Sequence, residues 1–95
     1  TFNIKNSDNI RIEGFTITGA SSNSVAAVII DKGKDASSFI TLIGNKINAG
    51  VNSSGILVKN ANSTINIQNN EIFGSANGIE IDRGSVSVPV NISGN

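Results

Sequence analysis

The sequence predicts an all-β fold in which about four coils, each made of three short strands, stack in parallel on one another. Three observations predict it: the composition, short segments of alternating apolar and polar residues, and an internal repeat. Sixteen Ile, fifteen Asn, thirteen Ser and ten Gly among 95 residues favour β-branched strands joined by turns. A repeat of fixed design is typical of a solenoid, in which each repeat buries its apolar face against the next.

The first strand of each coil is a three-residue segment with apolar residues at both ends. It is first seen as Phe2-Asn3-Ile4 and returns at 28–30, 56–58 and 79–81. A strand places alternate residues on opposite faces, so the two end residues point inward and the middle one outward.

The second and third strands come from a longer segment that turns a corner in its middle. Its copies begin at Ile10, Ile40, Ile65 and Val90, which are 30, 25 and 25 residues apart. In each copy an apolar-x-apolar strand is followed by a two-residue corner, and a later Ile, such as Ile47, marks the third strand. The connections between strands carry the variation in length.

Stacking each strand on its equivalent gives three parallel sheets around a continuous interior. The predicted inward positions are all apolar: Phe2, Ile4, Ile10, Ile12, Ile17, Val28, Ile30, Ile40, Leu42, Ile47, Ile56, Val58, Ile65, Ile67, Ile72, Ile79, Ile81, Val90 and Ile92. The residues after the first strand, Lys5, Asp31, Lys59 and Asp82, alternate in sign. In-register stacking at about 4.8 Å turns them into a column of opposite charges, which specifies register more than it stabilises.

This repeat resembles the parallel β-helix repeat of the pectin-lyase-like superfamily over essentially the whole chain. The resemblance implies a right-handed parallel β-helix, in line with the handedness of parallel crossovers. It also implies a tight corner with one left-handed residue beside a stacked asparagine. The first corner position is held by Gly14, Gly44, Asn69 and Gly94, and the second by Asn45, Asn70 and Asn95. Phe15 replaces the asparagine in the first coil, so we expect the asparagine ladder to end there.

Catalysis has one weak candidate cluster in the sequence. Members of the superfamily that act on acidic polysaccharides use carboxylates with a basic residue or calcium on the outward face of the first sheet. The matching positions here are Asn3, Ile29, Leu57 and Glu80, and only Glu80, with Asp82 and Arg83 beside it, offers such groups. No second carboxylate stacks on Glu80, so we expect a solvated strand edge and predict no catalytic constellation.

Composition excludes several other functions. The formal net charge is zero and no basic block occurs, which argues against a nucleic-acid partner. Cysteine and histidine are absent, which removes disulfides, thiolate or imidazole metal sites and the commonest general base. No apolar run approaches the roughly 18 residues that span a bilayer. We therefore predict no cofactor, no metal site and no membrane insertion.

The expected function is that of a structural or adhesive β-helix element of a secreted or cell-surface protein. We expect residues 1–95 to be a single segment of a longer solenoid with uncapped ends, whose partners are further coils of the same protein or further copies of the chain. Polysaccharide is a second expected partner, and glycosylation sequons occur at Asn52, Asn62 and Asn91. The alternative is a non-catalytic fragment of a polysaccharide lyase, hydrolase or epimerase of the β-helix superfamily.

Overall fold

The computed structural model describes residues 2–7, 9–19, 26–31, 39–50, 52–60, 63–74, 77–82 and 90–94. Within these ranges the chain forms β-strands and no helix, which confirms the predicted all-β class. Three residues named above, Asn62, Arg83 and Asn95, lie outside the described residues. The eleven described strands are β1 (Phe2–Lys5), β2 (Ile10–Glu13), β3 (Thr16–Thr18), β4 (Ala26–Asp31), β5 (Phe39–Ile43), β6 (Lys46–Asn48), β7 (Ser54–Lys59), β8 (Thr64–Gln68), β9 (Glu71–Phe73), β10 (Asn77–Ile81) and β11 (Val90–Ser93).

The strands assemble into three parallel sheets. The first sheet has the order β1-β4-β7-β10, the second β2-β5-β8-β11 and the third β3-β6-β9. Every described pairing is parallel. The chain visits the sheets in a fixed order, first, second and third, and we call one such passage a repeat unit.

The register of the sheets follows the sequence repeat. In the second sheet Ile10 pairs with Ile40, Ile40 with Ile65, and Ile65 with Val90. In the first sheet Val28 pairs with Ile56. Equivalent residues therefore lie directly above one another, and each inward apolar residue contacts its own counterparts in the neighbouring repeat units.

The apolar core lies between the three sheets and is most complete in the middle repeat units. Of the nineteen predicted inward residues, eleven are buried: Ile4, Ile12, Val28, Ile30, Ile40, Leu42, Ile47, Ile56, Val58, Ile65 and Ile67. Six more are partly buried against this cluster: Ile10, Ile17, Ile72, Ile79, Ile81 and Val90. At roughly 1.5–3 kcal/mol for each fully buried aliphatic side chain, the interior is the main source of stability.

Two of the predicted core residues are not buried. Phe2 is 44% exposed and Ile92 is 45% exposed. Both hold the expected register, since Phe2 pairs with Val28 and Ile92 with Ile67. β1 and β11 each lie at one edge of their sheet, with a described paired strand on one side only. This position leaves Phe2 and Ile92 exposed, whereas Ile4 in the same β1 is only 4% exposed.

Small residues lie at the start of two first-sheet strands, β4 and β7, where these strands face the interior. Ala27 is fully buried, and a Cβ added to Gly55 would contact Ile72 Cγ2 and lie 2.5 Å from the carbonyl oxygen of Gly78. The side chain of Ile72 occupies the space that a larger residue at position 55 would need. Gly55 is thus fixed by packing rather than by backbone conformation.

Candidate functional site

The first residue of the corner that follows the second sheet has the same left-handed backbone conformation in all four repeat units. The φ of this residue is positive throughout, with 75° at Gly14, 66° at Gly44, 55° at Asn69 and 67° at Gly94. Glycine adopts this region without steric cost and asparagine is the side chain that tolerates it best, which accounts for the residue types found there.

The second corner residue carries a ladder of buried amides. Asn45 and Asn70 are only 1% and 3% exposed. The Asn45 side-chain NH₂ donates to the carbonyl oxygen of Ile12 and to Asn70 Oδ1, both at 3.0 Å. Asn45 Oδ1 accepts the backbone N–H of Phe15 at 2.9 Å, and Asn70 Nδ2 donates to the Leu42 carbonyl oxygen at 2.9 Å. Each amide thereby joins adjacent repeat units through both ends of its side chain.

The backbone continues this ladder past the asparagines. Lys46 N donates to the Phe15 carbonyl oxygen and Glu71 N donates to that of Asn45, both at 2.8 Å. Phe15 thus keeps the main-chain role of the corner residue without supplying an amide. Its ring is 61% exposed.

The charged residues that follow the first-sheet strands occupy adjacent positions. Lys5 pairs in register with Asp31, and Asp31 with Lys59. Asp82 continues the series, because its N–H donates to the Val58 carbonyl oxygen at 2.9 Å. Lys59 Nζ lies 4.0 Å from Asp31 Oδ2, with the two side chains 39% and 22% exposed. Solvation at this level limits such a pair to less than about 1 kcal/mol.

A second asparagine corner, which the sequence reasoning missed, follows the first sheet. Asn6 and Asn60 have φ of 48° and 50°. They occupy equivalent places, directly after Lys5 and Lys59, and Asn60 Nδ2 donates to Asp31 Oδ1 at 3.2 Å. The signal available in the sequence was the repeated Lys-Asn pair at the end of a first-sheet strand.

The carboxylate candidates lie at the far edge of the first sheet. Glu80 is exposed, and its Oε2 accepts the hydroxyl of Ser54 at 2.6 Å, a partner that the sequence did not indicate. Asp82 is exposed one residue beyond β10. The neighbouring outward position in β7 is Leu57, which is only 7% exposed. The structure thus brings Glu80 next to a serine hydroxyl and places it in register with a buried aliphatic residue.

The outer face of the second sheet is an extended polar surface. Its charged residues, Arg11 and Glu13, both lie in β2, where Arg11 Nε is 3.1 Å from Glu13 Oε2. The other outward residues of this sheet are Phe39, Thr41, Ile43, Thr64, Asn66, Gln68, Asn91 and Ser93. Asn91 Nδ2 donates to Asn66 Oδ1 at 2.9 Å along this face. Phe39 is 54% exposed beside it.

An apolar cavity of about 550 Å³ lies at the open side of the first repeat unit. Its lining comes from all three sheets and the corner between two of them: Phe2, Ile12, Phe15, Thr16, Ile17 and Thr18. The sequence pattern predicts Phe2 as a core residue and Phe15 as the end of the ladder, and none of its features joins the two rings in one cavity.

The described residues offer neither a metal-binding cluster nor a helical membrane span. The described residues contain no group of three or more acidic side chains placed to hold a metal ion. No described helix is long and apolar enough to cross a bilayer. Compared with protein-family models, curated proteins and solved structures, the chain gives no match.

Proposed function

We propose that this chain is a stretch of right-handed parallel β-helix of the pectin-lyase-like type, acting as a structural or adhesive element of a secreted or cell-surface protein. Each repeat unit is then one coil of the helix. The fixed order of the three parallel sheets and the corner asparagines support this architecture, and parallel crossovers are right-handed in about 98% of cases.

The observation that carries the adhesive role is the outer face of the second sheet. Across β5, β8 and β11 it presents amides, hydroxyls, the partly exposed aliphatic side chain of Ile43 and one exposed phenyl ring, Phe39, without a charged side chain. Amides and hydroxyls both donate and accept hydrogen bonds, as sugar hydroxyls do, and a phenyl ring offers an apolar face to the C–H side of a sugar. A neutral polysaccharide is therefore the ligand that this surface fits best.

Affinity electrophoresis in gels that contain neutral or acidic polysaccharides tests this role. We expect retardation by a neutral glycan, and its loss in Phe39→Ala and Asn66→Ala. Phe73→Ala is the matched control, because this phenylalanine is 45% exposed on a different sheet. Retardation that all three variants retain, or that only acidic glycans produce, would contradict a binding face on the second sheet.

The second candidate function is a non-catalytic part of a polysaccharide lyase, hydrolase or epimerase. It is favoured by the exposed carboxylates of Glu80, in β10, and of Asp82, one residue beyond that strand. On our proposal Glu80 serves the hydrogen bond to Ser54, so wild type and Glu80→Gln should both leave acidic polysaccharides uncleaved. Cleavage by the wild-type chain that Glu80→Gln abolishes would establish an enzyme and contradict both candidate functions, because neither of them is catalytic.

A further inference from the structure

We propose that Asn52 is an N-glycosylation site, modified before the chain folds and left on the surface afterwards. The inference rests on the secretion proposed above, because N-linked glycans are added to proteins that enter the secretory route. Asn52 begins the sequon Asn52-Ser53-Ser54, one of three in the sequence. The sequon at Asn62 lies outside the described residues, and the structure distinguishes Asn52 from Asn91.

Asn52 lies in a surface turn of a middle repeat unit. The turn connects β6 to β7, in the corner that leads from the third sheet to the first. The N–H of Ser53 donates to the carbonyl oxygen of Gly50 at 3.3 Å, as in a β-turn, and Gly50 has φ of 88°. Asn52 itself is exposed. A surface loop of this kind is where an accepted sequon is expected.

The two serines of the sequon are buried, in contrast to Asn52. Ser53 and Ser54 are only 2% and 3% exposed. Ser54 Oγ donates to Glu80 Oε2 at 2.6 Å. The sequon requires the hydroxyl at its third position, and the folded chain encloses that hydroxyl. Transfer of the glycan therefore precedes folding of β7, and the same hydroxyl then joins β7 to β10.

The transfer joins the Asn52 side-chain nitrogen to a sugar. The donor is an oligosaccharide linked through a diphosphate to a lipid carrier. A bond forms between Asn52 Nδ2 and the anomeric carbon, and the bond from that carbon to the diphosphate oxygen breaks. The lipid diphosphate leaves with the electron pair of that bond, and Nδ2 loses one of its two protons to a base of the transferring enzyme. The chain supplies only the acceptor amide.

The position of Asn52 keeps its glycan away from the strand pairings and from the proposed binding face. The residue precedes β7, whose described pairing begins at Ser54. Its corner joins the third and first sheets and does not border the second sheet. Because the three sheets surround one interior, a glycan at this corner leaves the outer face of the second sheet free for a polysaccharide.

Asn91 has the opposite setting. Its sequon lies within β11, which pairs with β8. Asn91 Nδ2 donates to Asn66 Oδ1 at 2.9 Å along the outer face of the second sheet. A glycan on this nitrogen would stand on that face and displace the Asn66 contact. We therefore expect Asn91 to be unmodified in the secreted chain.

Site mapping of the full chain tests the inference. The chain is secreted from cultured cells that N-glycosylate, and its glycans are removed in heavy-oxygen water by an amidase that converts glycosylated asparagine to labelled aspartate. Mass spectrometry should find the label at residue 52 in most of the secreted chain and not at residue 91. Asn52→Gln should abolish the label at residue 52, and Asn91→Gln is the matched control that leaves it unchanged.

Two further variants separate the sequon hydroxyl from its hydrogen bond. Ser54→Ala should abolish the glycan at Asn52, because it removes the hydroxyl that the sequon requires. Glu80→Gln keeps that hydroxyl and should keep the glycan. Loss of the glycan in both variants would contradict the requirement for the hydroxyl alone.

The order of the two events has its own test. The full chain, folded in cells without N-glycosylation, is incubated with the purified transferring enzyme and a lipid-linked donor, and an unrelated acceptor peptide confirms that the enzyme is active. We expect no transfer to the folded chain, because Ser54 is buried. Modification of Asn52 in the folded chain would refute transfer before folding.

The outcomes distinguish this inference from the proposed function. A secreted chain with β-structure by circular dichroism and no glycan at Asn52, or with a glycan at Asn91 instead, would overturn the inference and leave the adhesive role standing. An unglycosylated chain that neutral polysaccharides do not retard in affinity electrophoresis would refute the adhesive role and leave the glycosylation site standing. Retardation that the glycan at Asn52 abolishes would contradict its position away from the second sheet.

Discussion

Replacing Asn45 with alanine should lower the free energy of unfolding far more than the loss of one exposed amide side chain would. The change removes the bonds from Asn45 Nδ2 to the Ile12 carbonyl oxygen and to Asn70 Oδ1, and the acceptor of the Phe15 N–H. Asn70 Oδ1 keeps the backbone N–H of residue 45 at 3.0 Å, but the Ile12 carbonyl and the Phe15 N–H lose these partners. The bond to the Ile12 carbonyl oxygen is buried and that of the Phe15 N–H is part-buried. A buried group left unsatisfied costs about 1–3 kcal/mol and a part-buried one less, so we expect a loss of about 2–4 kcal/mol.

This loss is large for a chain of this length. At about 0.05–0.15 kcal/mol per residue, 95 residues correspond to about 5–14 kcal/mol in total. Urea unfolding followed by circular dichroism measures the change. With a slope of about 2 kcal/mol per molar urea, the midpoint should fall by about 1–2 M.

Asn66→Ala is the control for this prediction. Its side chain makes an amide–amide hydrogen bond of similar length, 2.9 Å from Asn91 Nδ2, but on the outer face where water can replace it. We expect Asn66→Ala to lower the free energy of unfolding by less than about 0.5 kcal/mol. If Asn45→Ala and Asn66→Ala lower the urea midpoint equally, burial of the asparagine ladder does not add to the stability of the chain.

Three further substitutions test packing, backbone conformation and charge. Gly55→Ala should lower the free energy of unfolding by about 1–3 kcal/mol, because the added Cβ would meet Ile72. Gly78→Ala is the control, since its Cβ would lie in open space and should change the melting temperature little. Equal shifts in melting temperature for the two variants would contradict the role of packing at Gly55. Gly44→Val should lower the free energy of unfolding by about 1–2 kcal/mol through its positive φ alone, since nothing lies within 4 Å of an added Cβ. Gly44→Asn should cost much less. If Gly44→Val leaves the urea midpoint unchanged, backbone strain at this corner is not significant. Lys59→Met should lower the free energy of unfolding by less than about 1 kcal/mol, and by less still at high salt. A loss of stability in urea unfolding that does not depend on salt would indicate that the Lys59 side chain stabilises by packing instead.

The strands and their register could be predicted from sequence because both arise from local alternation and repetition. Ile40 and Ile65 recur at the same place in the repeat, and identical in–out patterns leave few ways to stack them. The exposure of Phe2 and Ile92 was not predictable in this way, because both have the same pattern as buried residues. Burial depends on how the neighbouring side chains are arranged in the assembled stack, since Ile4 in the same edge strand as Phe2 is only 4% exposed.

The candidate sites were harder to predict for a related reason. The Ser54–Glu80 hydrogen bond joins residues 26 positions apart that share no motif. The apolar cavity of the first repeat unit joins Phe2, in β1, and Phe15, in the corner between β2 and β3. The two rings come together only when the sheets close around the interior. Chemistry that depends on such closure leaves no periodic signal in the chain.

The polar corners explain how a nearly uniform interior specifies one register. Shifting a strand by two residues keeps its inward residues inward, because alternation has a period of two, and in the pair of β5 with β8 one of the two apolar contacts, such as Ile40 on Ile67, would still form. The same shift would move Asn45 away from Asn70 and bury two amides without partners, at several kcal/mol. It would also move the positive φ of residue 44 out of line with that of Asn69. The apolar residues therefore supply the stability of the stack, and the corner residues select the single alignment in which that stability is realised.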